Sequence, residues 1–500
     1  MKSIIQTLFL PFSTPLLWRG WGRSCFFLLL LASCSLQDEQ AAKLNRKAVI
    51  FPDYTETTLP CNMAAPTFAS KDSETLSDLQ AVFSAGKCQV VVGSNGEEGF
   101  CIDPSDWKEL INESMSKSES MSKSANVGRG FGFPLRAAEQ NLPSRESIVK
   151  VKIQGKKDGA WVEYDAFNIT ISPDSIDSHL AYRLIEPGYE VWNNMGIYER
   201  DLESYEEKAI KTNKETEGGC MNCHSFCNYD RNKMVWHQRK GMAGTYFFDG
   251  KTTKHIEPSP SFVYPSWHPG GRFIAFSTND TKQAFHTVSR NRIEVLDNSS
   301  DIIVYDTKTE EVLTCPEIHS TTKFETFPSW SPDGKRLYFC AADSVNMPDE
   351  YDKAHYALCS IDFDASIKTF GKTVNTLYNN RSVSFPRVSP DGKFLMFTLS
   401  DYGQFSIWHK DADLYLLNLE NDSIRSVNEI NSKDVESYHS WSSNGKWVVF
   451  STRRDDGLYT RPYFAHFENG KFSKPFALPQ QDADYTTRLM KSYNIPEFFK

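Results

Sequence analysis

The residues best suited to chemistry lie in Gly218-Gly219-Cys220-Met221-Asn222-Cys223-His224-Ser225-Phe226-Cys227. Cys-x-x-Cys-His is the attachment signature of c-type haem. Two thiols three positions apart can each form a thioether with a vinyl group of one porphyrin, and the next imidazole then comes up beneath the iron as proximal axial ligand. With 11 cysteines and 11 histidines in 500 residues, chance supplies on the order of 0.005 such strings, so coincidence explains the motif poorly. The expectation is therefore one haem c, tethered by Cys220 and Cys223 and ligated by His224. Other chemistry stays open for the same donors. Cys220, Cys223 and Cys227 with His224 or His237 could hold zinc tetrahedrally. Cys220 and Cys223 could also form a disulfide in an oxidising compartment, although the βαβ context of a dithiol oxidoreductase is missing. His237, in Met234-Val235-Trp236-His237-Gln238-Arg239, is the candidate distal iron ligand, with Met195, Met221, Met234 and Met242 nearby in sequence. Met221 lies between the two attachment cysteines and is badly placed to cross to the other face. The choice matters because imidazole gives a lower potential than thioether sulfur.

The elements that must position these groups differ on the two sides of the motif. Upstream, residues 201–213 are charged, with Leu202, Tyr205 and Ala209 spaced for one helical face, so residues 201–243 read as a helix followed by the haem segment. Downstream, four segments align: Ser266-Trp267-His268-Pro269-Gly270-Gly271, Ser329-Trp330-Ser331-Pro332-Asp333-Gly334, Arg387-Val388-Ser389-Pro390-Asp391-Gly392 and Ser440-Trp441-Ser442-Ser443-Asn444-Gly445, each followed by an apolar strand. Their last glycines are 63, 58 and 53 residues apart, the period of a propeller blade. Ser-Pro-Asp-Gly is a turn in which Pro presets φ, Asp bonds locally and Gly takes the positive φ. The apolar strand after each turn is expected near the propeller axis. Later strands, such as residues 301–306 and 413–419, close each blade, and residues 244–250 look like the closing strand of one blade earlier. Five blades are visible over residues 244–480, with a sixth available from flanking chain, and residues 481–500 form a tail. His268 and His439 sit near repeat turns and read as packed or solvated histidines, and no catalytic set is found on the repeats.

This half resembles the WD40-like propeller repeats of TolB-type periplasmic proteins, departing at Gly270 and at Ser443-Asn444. The resemblance implies protein–protein binding within the cell envelope. Residues 48–200 read as short β runs, for example 148–153 and 161–164, and suggest a sandwich-like domain. The repeated Ser-Met-Ser-Lys-Ser at 114–118 and 120–124 reads as an exposed low-complexity loop. The fold class expected is all-β: an N-terminal β-sandwich-like domain, then a five- or six-bladed propeller.

Residues 1–33 carry basic Lys2, Arg19 and Arg23, a short apolar run and Leu31-Ala32-Ser33-Cys34. The run is shorter than the roughly 20 apolar residues a spanning helix needs, and the pattern reads as a secretory signal. Leu-Ala-Ser-Cys resembles the lipobox of bacterial lipoproteins, which implies cleavage before Cys34 and lipid on its thiol, with residues 34–47 as a tether. A lipobox, a β domain, a Cys-x-x-Cys-His segment and a TolB-like propeller together resemble a group of Bacteroidetes envelope lipoproteins, with residues 182–190, 220–229 and 493–498 in support. The expected partners are a membrane through the lipid anchor, an envelope protein on the propeller and a redox partner. The expected location is the cell envelope, at the outer membrane. Lys plus Arg is 55 against 64 for Asp plus Glu, a formal charge of -9, which argues against nucleic acid as a partner. Electron transfer or redox sensing leads. A non-redox scaffold, in which the motif is structural through haem or zinc, stands second. Peroxide reduction at an open haem stands last, because no acid–base pair accompanies the motif. Cys61, Cys88 and Cys101 could form disulfides, and Cys340 is expected to be buried on a strand.

Overall fold

The computed structural model describes residues 41–500, apart from 73–74, 97–98, 128–146, 188–192, 258–261 and 288–290. The signal segment and the lipidation candidate Cys34 lie outside the described residues. Six antiparallel sheets follow one another as the blades of a propeller. Blade 2 runs Cys220–Phe226, Met234–Arg239, Gly244–Phe248 and Thr253–Ile256, from innermost to outermost strand. Blade 3 begins with Phe262–Trp267, blade 4 with Lys323–Trp330, blade 5 with Ser382–Val388 and blade 6 with Glu436–Trp441. Blade 1 is assembled from both ends of the domain. His179–Ile185, Gly196–Asp201 and Glu207–Thr212 supply three strands, and the C-terminal Ser492–Phe499 pairs antiparallel with the first of them. The sixth blade is therefore drawn from flanking chain, and the supposed tail is its innermost strand. A ring closed in this way has no exposed sheet edge at its seam.

The repeated turn joins the innermost strand of a blade to the second, so the apolar strand after the turn is one step out from the axis. The turn chemistry is as expected. The Ser331 hydroxyl donates to Asp333 (2.6 Å), whose carboxylate accepts the Lys335 N–H (3.1 Å), and Gly334 takes φ 71°. Blade 5 repeats the pattern with Ser389 and Asp391. In blade 3 the serine is replaced by His268, whose Nδ1 accepts the Gly270 N–H (3.0 Å) and whose Nε2 lies 3.1 Å from the Gly334 carbonyl oxygen. A Cβ on Gly334 would lie 2.2 Å from that Nε2, so the turn needs glycine for space as well as for φ. His268 is thus a packed, bonded histidine. Cys340 is fully buried on the second strand of blade 4.

Ahead of the propeller, one seven-stranded sheet runs in the order Ala42–Lys47, Ala160–Asp165, Ser147–Lys157, Ser77–Ala85, Cys88–Gly93, with Phe167–Ser172 and Thr57–Pro60 branching from it. The second layer that a sandwich would supply with strands comes from a helix, α1 (Pro104–Val127), which packs on this sheet. Trp107, Leu110, Ile111 and Ser114 recur at helical spacing and are buried, Pro104 stands in the first turn and the Asp103 carboxylate accepts the Ser105 N–H. The Ser-Met-Ser-Lys-Ser repeat is therefore helical, not a loop. Its low apolar content hides a helix that starts from this upstream stripe. Two further expectations are corrected. Residues 42–47 are an edge strand with Leu44 on the core, not a loose tether. Residues 201–213 hold no α-helix: Leu202 is in the core, Tyr205 donates to the Ala65 carbonyl (2.8 Å), and Glu207–Thr212 is the outermost strand of blade 1, followed by a single 3-10 turn at Asn213–Glu215. Lysine and glutamate suit such an edge, because they discourage further pairing. The core of this sheet is continuous with Trp447, Phe464, Phe476, Tyr493 and Phe498 of blades 6 and 1. Among the described residues no helix is long and apolar enough to cross a membrane.

Candidate functional site

Each innermost strand carries a bulge at the same place. In blades 3, 4 and 5 the bulged residues are Tyr264-Pro265, Phe327-Pro328 and Phe385-Pro386; in blade 6 they are Tyr438-His439 and in blade 1 Ile495-Pro496. The first residue of each pair has φ between 48° and 54°. This costly backbone conformation recurs five times because it aims a large side chain at the axis. Ring centroids of Tyr264 and Phe327 are 4.4 Å apart, of Phe327 and Phe385 4.1 Å, and of Phe385 and Tyr438 4.8 Å, so the rings plug the channel. In blade 2 the register shift falls between Met221 and His224, and the bulged pair is Asn222-Cys223. The haem signature therefore lies across the one bulge that contributes no large apolar side chain.

This has direct consequences for the motif. On an uninterrupted strand Cys220 and Cys223 would face opposite sides. With the bulge between them, both line one cavity of about 820 Å³ at the mouth of the channel, together with Asn222. A second cavity of about 190 Å³ is lined by Cys223, His224, Arg387 and Glu497. Tyr264, Tyr438 and Ile495 border both cavities, as does Cys223, while Cys220 and His224 border one each. Burial raises the Cys223 thiol above its usual range, with the Tyr264 N–H and the charges of Arg183 and Arg239 acting the other way. The Cys220 Sγ lies 3.6 Å from Asn222 Oδ1, which also accepts from Arg183 (2.9 Å).

His224 is 2% exposed, and neither ring nitrogen has a hydrogen-bond partner among the described residues. Burial, aided by the Arg183 charge, pushes it down to about 3, so the ring is neutral and has a free lone pair. A buried imidazole is ordinarily bonded, since an unsatisfied one costs about 1–3 kcal/mol. His237 is placed differently. His224 pairs with Trp236 across the strands, so His237, the next residue, points from the opposite face of the blade. There its Nδ1 lies 2.9 Å from the Thr245 hydroxyl. The structure does not bring His224 and His237 together. Cys227 packs into the core between blades 2 and 3, and no cluster of three or more metal-ligating side chains occurs among the described residues. The nine described cysteines are all unbridged. Cys61 and Cys101 instead donate to the carbonyls of Pro173 and Gln481.

Tested against a covalent haem, the donors fit in part: the two thiols share the wall of the 820 Å³ cavity, while the adjoining imidazole, buried with both nitrogens unpaired among the described residues, borders the second cavity and not the first. The residues that sequence reasoning missed are Arg183, Arg387, Arg453 and Glu497. The Glu497 carboxylate accepts from the Ser225 hydroxyl (3.1 Å) and the Phe226 N–H (3.0 Å), and burial raises it to about 7. It follows Ile495-Pro496, and the recurring large residue followed by proline was the signal that could have placed it on the channel wall.

No family model and no curated protein matches the chain. Among solved structures it is similar to an oligogalacturonate lyase from Vibrio parahaemolyticus (12% identity, 55% of this chain and 84% of that one, TM-score 0.32). It is also similar to a variant of the Synechocystis apocarotenoid oxygenase (9% identity, 91% and 97%, TM-score 0.38). A third is a putative dipeptidyl aminopeptidase IV from Bacteroides ovatus (11% identity, 59% and 52%, TM-score 0.26). Likenesses this faint carry nothing about chemistry.

Proposed function

We propose that this propeller carries one covalent c-type haem on the innermost strand of blade 2 and serves electron transfer or redox sensing in the cell envelope, with Cys34 as its lipid anchor. The observation that supports this reading is the pairing of Cys220 and Cys223 on one cavity wall, with the next residue, His224, bordering the adjoining cavity and both its buried ring nitrogens without a partner among the described residues. Cys220 and Cys223 would hold the porphyrin and His224 the iron; the haem would supply one-electron transfer. The chain's own part is to seat the group where the aromatic plug excludes water from one side, and to offer the outer propeller surface to a partner. A six-bladed propeller also has scaffold capacity without any redox role, and the fold alone does not separate the two.

The test is to express the exported chain in cells able to attach c-type haem, then take a whole-protein mass and a visible spectrum. The expected result is one haem that survives denaturation in the wild type and is lost in Cys220→Ala/Cys223→Ala. A low-spin spectrum would support electron transfer, and a high-spin one would show an open coordination position. A colourless protein with the mass of polypeptide and acyl groups alone overturns the proposal.

A further inference from the structure

We propose that the channel mouth is a carboxylate-binding site in which the guanidiniums of Arg453 and Arg183 receive the acid group of a flat, ring-bearing ligand. The inference does not rest on the haem reading. Both arginines line the 820 Å³ cavity, whose size lies in the roughly 300–1,000 Å³ range of small-molecule sites. Arg453 is 5% exposed and its Nε has no partner among the described residues; the carboxylates of Asp434 and Asp456 act on it only through space. Its guanidinium carbon sits 3.5 Å from the centre of the Trp408 ring. Arg183 is 6% exposed. Among the described residues it is held by neutral oxygens, the Met221 carbonyl (3.1 Å), Asn222 Oδ1 (2.9 Å) and the Asn494 amide oxygen (3.1 Å), and its Nε has no partner.

Charges are seldom buried without a counter-ion, because the loss of hydration is not recovered. Two such guanidiniums facing one cavity leave a deficit that an anion would fill, and Arg matches a carboxylate with two parallel N–H donors. The rim reinforces the sign: Arg239, Lys240, Arg292 and Lys410 line the same cavity, against two acids, Glu186 and Asp456. Asp456 is engaged in its own loop, accepting the N–H groups of Leu458 and Tyr459. That excess of cations stands out in a chain of net charge -9. Burial lowers Arg453 to about 10, against the opposing pull of Asp434, Tyr438 and Asp456. Tyr264, Tyr438 and Trp408 on the same walls offer ring faces, which favours a flat ligand over an inorganic ion. The acid group could belong to a tethered porphyrin, as a propionate, or to a free organic acid.

The experiment titrates phthalate into the exported chain in two forms, wild type loaded with haem and haem-free Cys220→Ser/Cys223→Ser, and follows tryptophan fluorescence. Phthalamide is the uncharged control. Phthalate should bind the haem-free form, phthalamide should not, and Arg453→Met should weaken phthalate at least tenfold. Exclusion of phthalate from the loaded form assigns the site to a propionate, whereas equal binding by both forms assigns it to a free acid. If the wild type takes up no haem the two forms coincide, and the free acid is the assignment. The ligand-free Arg453→Met chain should melt no lower than wild type, because it sheds an uncompensated charge; Arg453→Lys, which keeps the charge, should retain part of the affinity. Equal phthalate affinity in wild type and Arg453→Met, or no binding to either form, overturns the proposal.

Discussion

The innermost strands of blades 2 and 5 hold the same place in the ring and bulge at the same point. In blade 5 the bulge is Phe385-Pro386, and its ring packs against Phe327 and Tyr438 at centroid distances of 4.1 and 4.8 Å. In blade 2 it is Asn222-Cys223, and what lies beside it is cavity. The register shift is common to both, but Phe385 takes φ 53° while Asn222 is not in the left-handed region, and the aromatic plug residue of blade 5 has no counterpart in blade 2. A repeat fold makes such differences readable, because the other blades show what the position does when it serves stability alone. The comparison predicts a wide gap in cost. Phe385→Ala removes a buried ring from a close-packed cluster and should cost about 3–5 kcal/mol. Cys220→Ala removes a half-buried thiol from a cavity wall and should stay below about 1 kcal/mol. Urea midpoints of the two variants check this, and equal costs would break the comparison.

Blade 6 stands between the two, because its bulge keeps the aromatic residue, Tyr438, but carries His439 where blades 1, 3, 4 and 5 have proline. His439 is buried, with Nε2 2.9 Å from the Met396 carbonyl oxygen and Nδ1 unpartnered. Burial pushes it down to about 3. An unfolded histidine titrates near 6.5, so between those values the unfolded chain holds the extra proton and stability falls as the pH falls. Near pH 5 this one group should cost the wild type about 2 kcal/mol relative to neutral pH. His439→Leu lacks that loss but gives up one hydrogen bond, about 1 kcal/mol. The variant should be the less stable at pH 7 and the more stable at pH 5. Thermal melts at the two values test the crossing, and parallel curves would show that the site is not desolvated as the structure describes.

How far the sequence disclosed this follows from where each signal lies. The repeated turns are local, so blades 3 to 6 could be placed from their residues alone. Blade 1 could not, since Ser492–Phe499 pairs with His179–Ile185 across some 300 residues and no local pattern records it. The Ser443-Asn444 departure from the repeat also has a partner. Ser443 donates its N–H (2.7 Å) and hydroxyl (2.5 Å) to Asp177, and Asn444 donates to the Ser175 carbonyl (2.7 Å). Proline at 443 would forfeit two of those bonds, so the exception marks where the propeller grips the preceding segment. Cys-x-x-Cys-His was legible as a motif, but its setting was not. Nothing in the string shows that it spans a bulge, or that His237 faces the other side of the blade. The arginines were invisible for a related reason: Arg183 and Arg453 are 270 residues apart, and only ring closure brings them to one cavity.

The smallest expected change in stability is also the sharpest probe of the comparison. Asn222→Tyr would give blade 2 the aromatic residue that blades 3 and 6 already hold. A ring there gains contact with Tyr264 and Tyr438, worth about 0.5–1.5 kcal/mol for an aromatic pair. It also takes from Arg183 one of its acceptors, at about 1 kcal/mol. The two terms nearly cancel, so the melting temperature should move little in either direction. Occupancy of the channel mouth should change far more, because the new side chain fills the wall shared by Cys220 and Cys223. The variant should fold like the wild type, retain less haem and bind phthalate more weakly in its Cys220→Ser/Cys223→Ser background. A variant that retains both ligands at wild-type levels would mean that the open bulge of blade 2 is not what makes room for them.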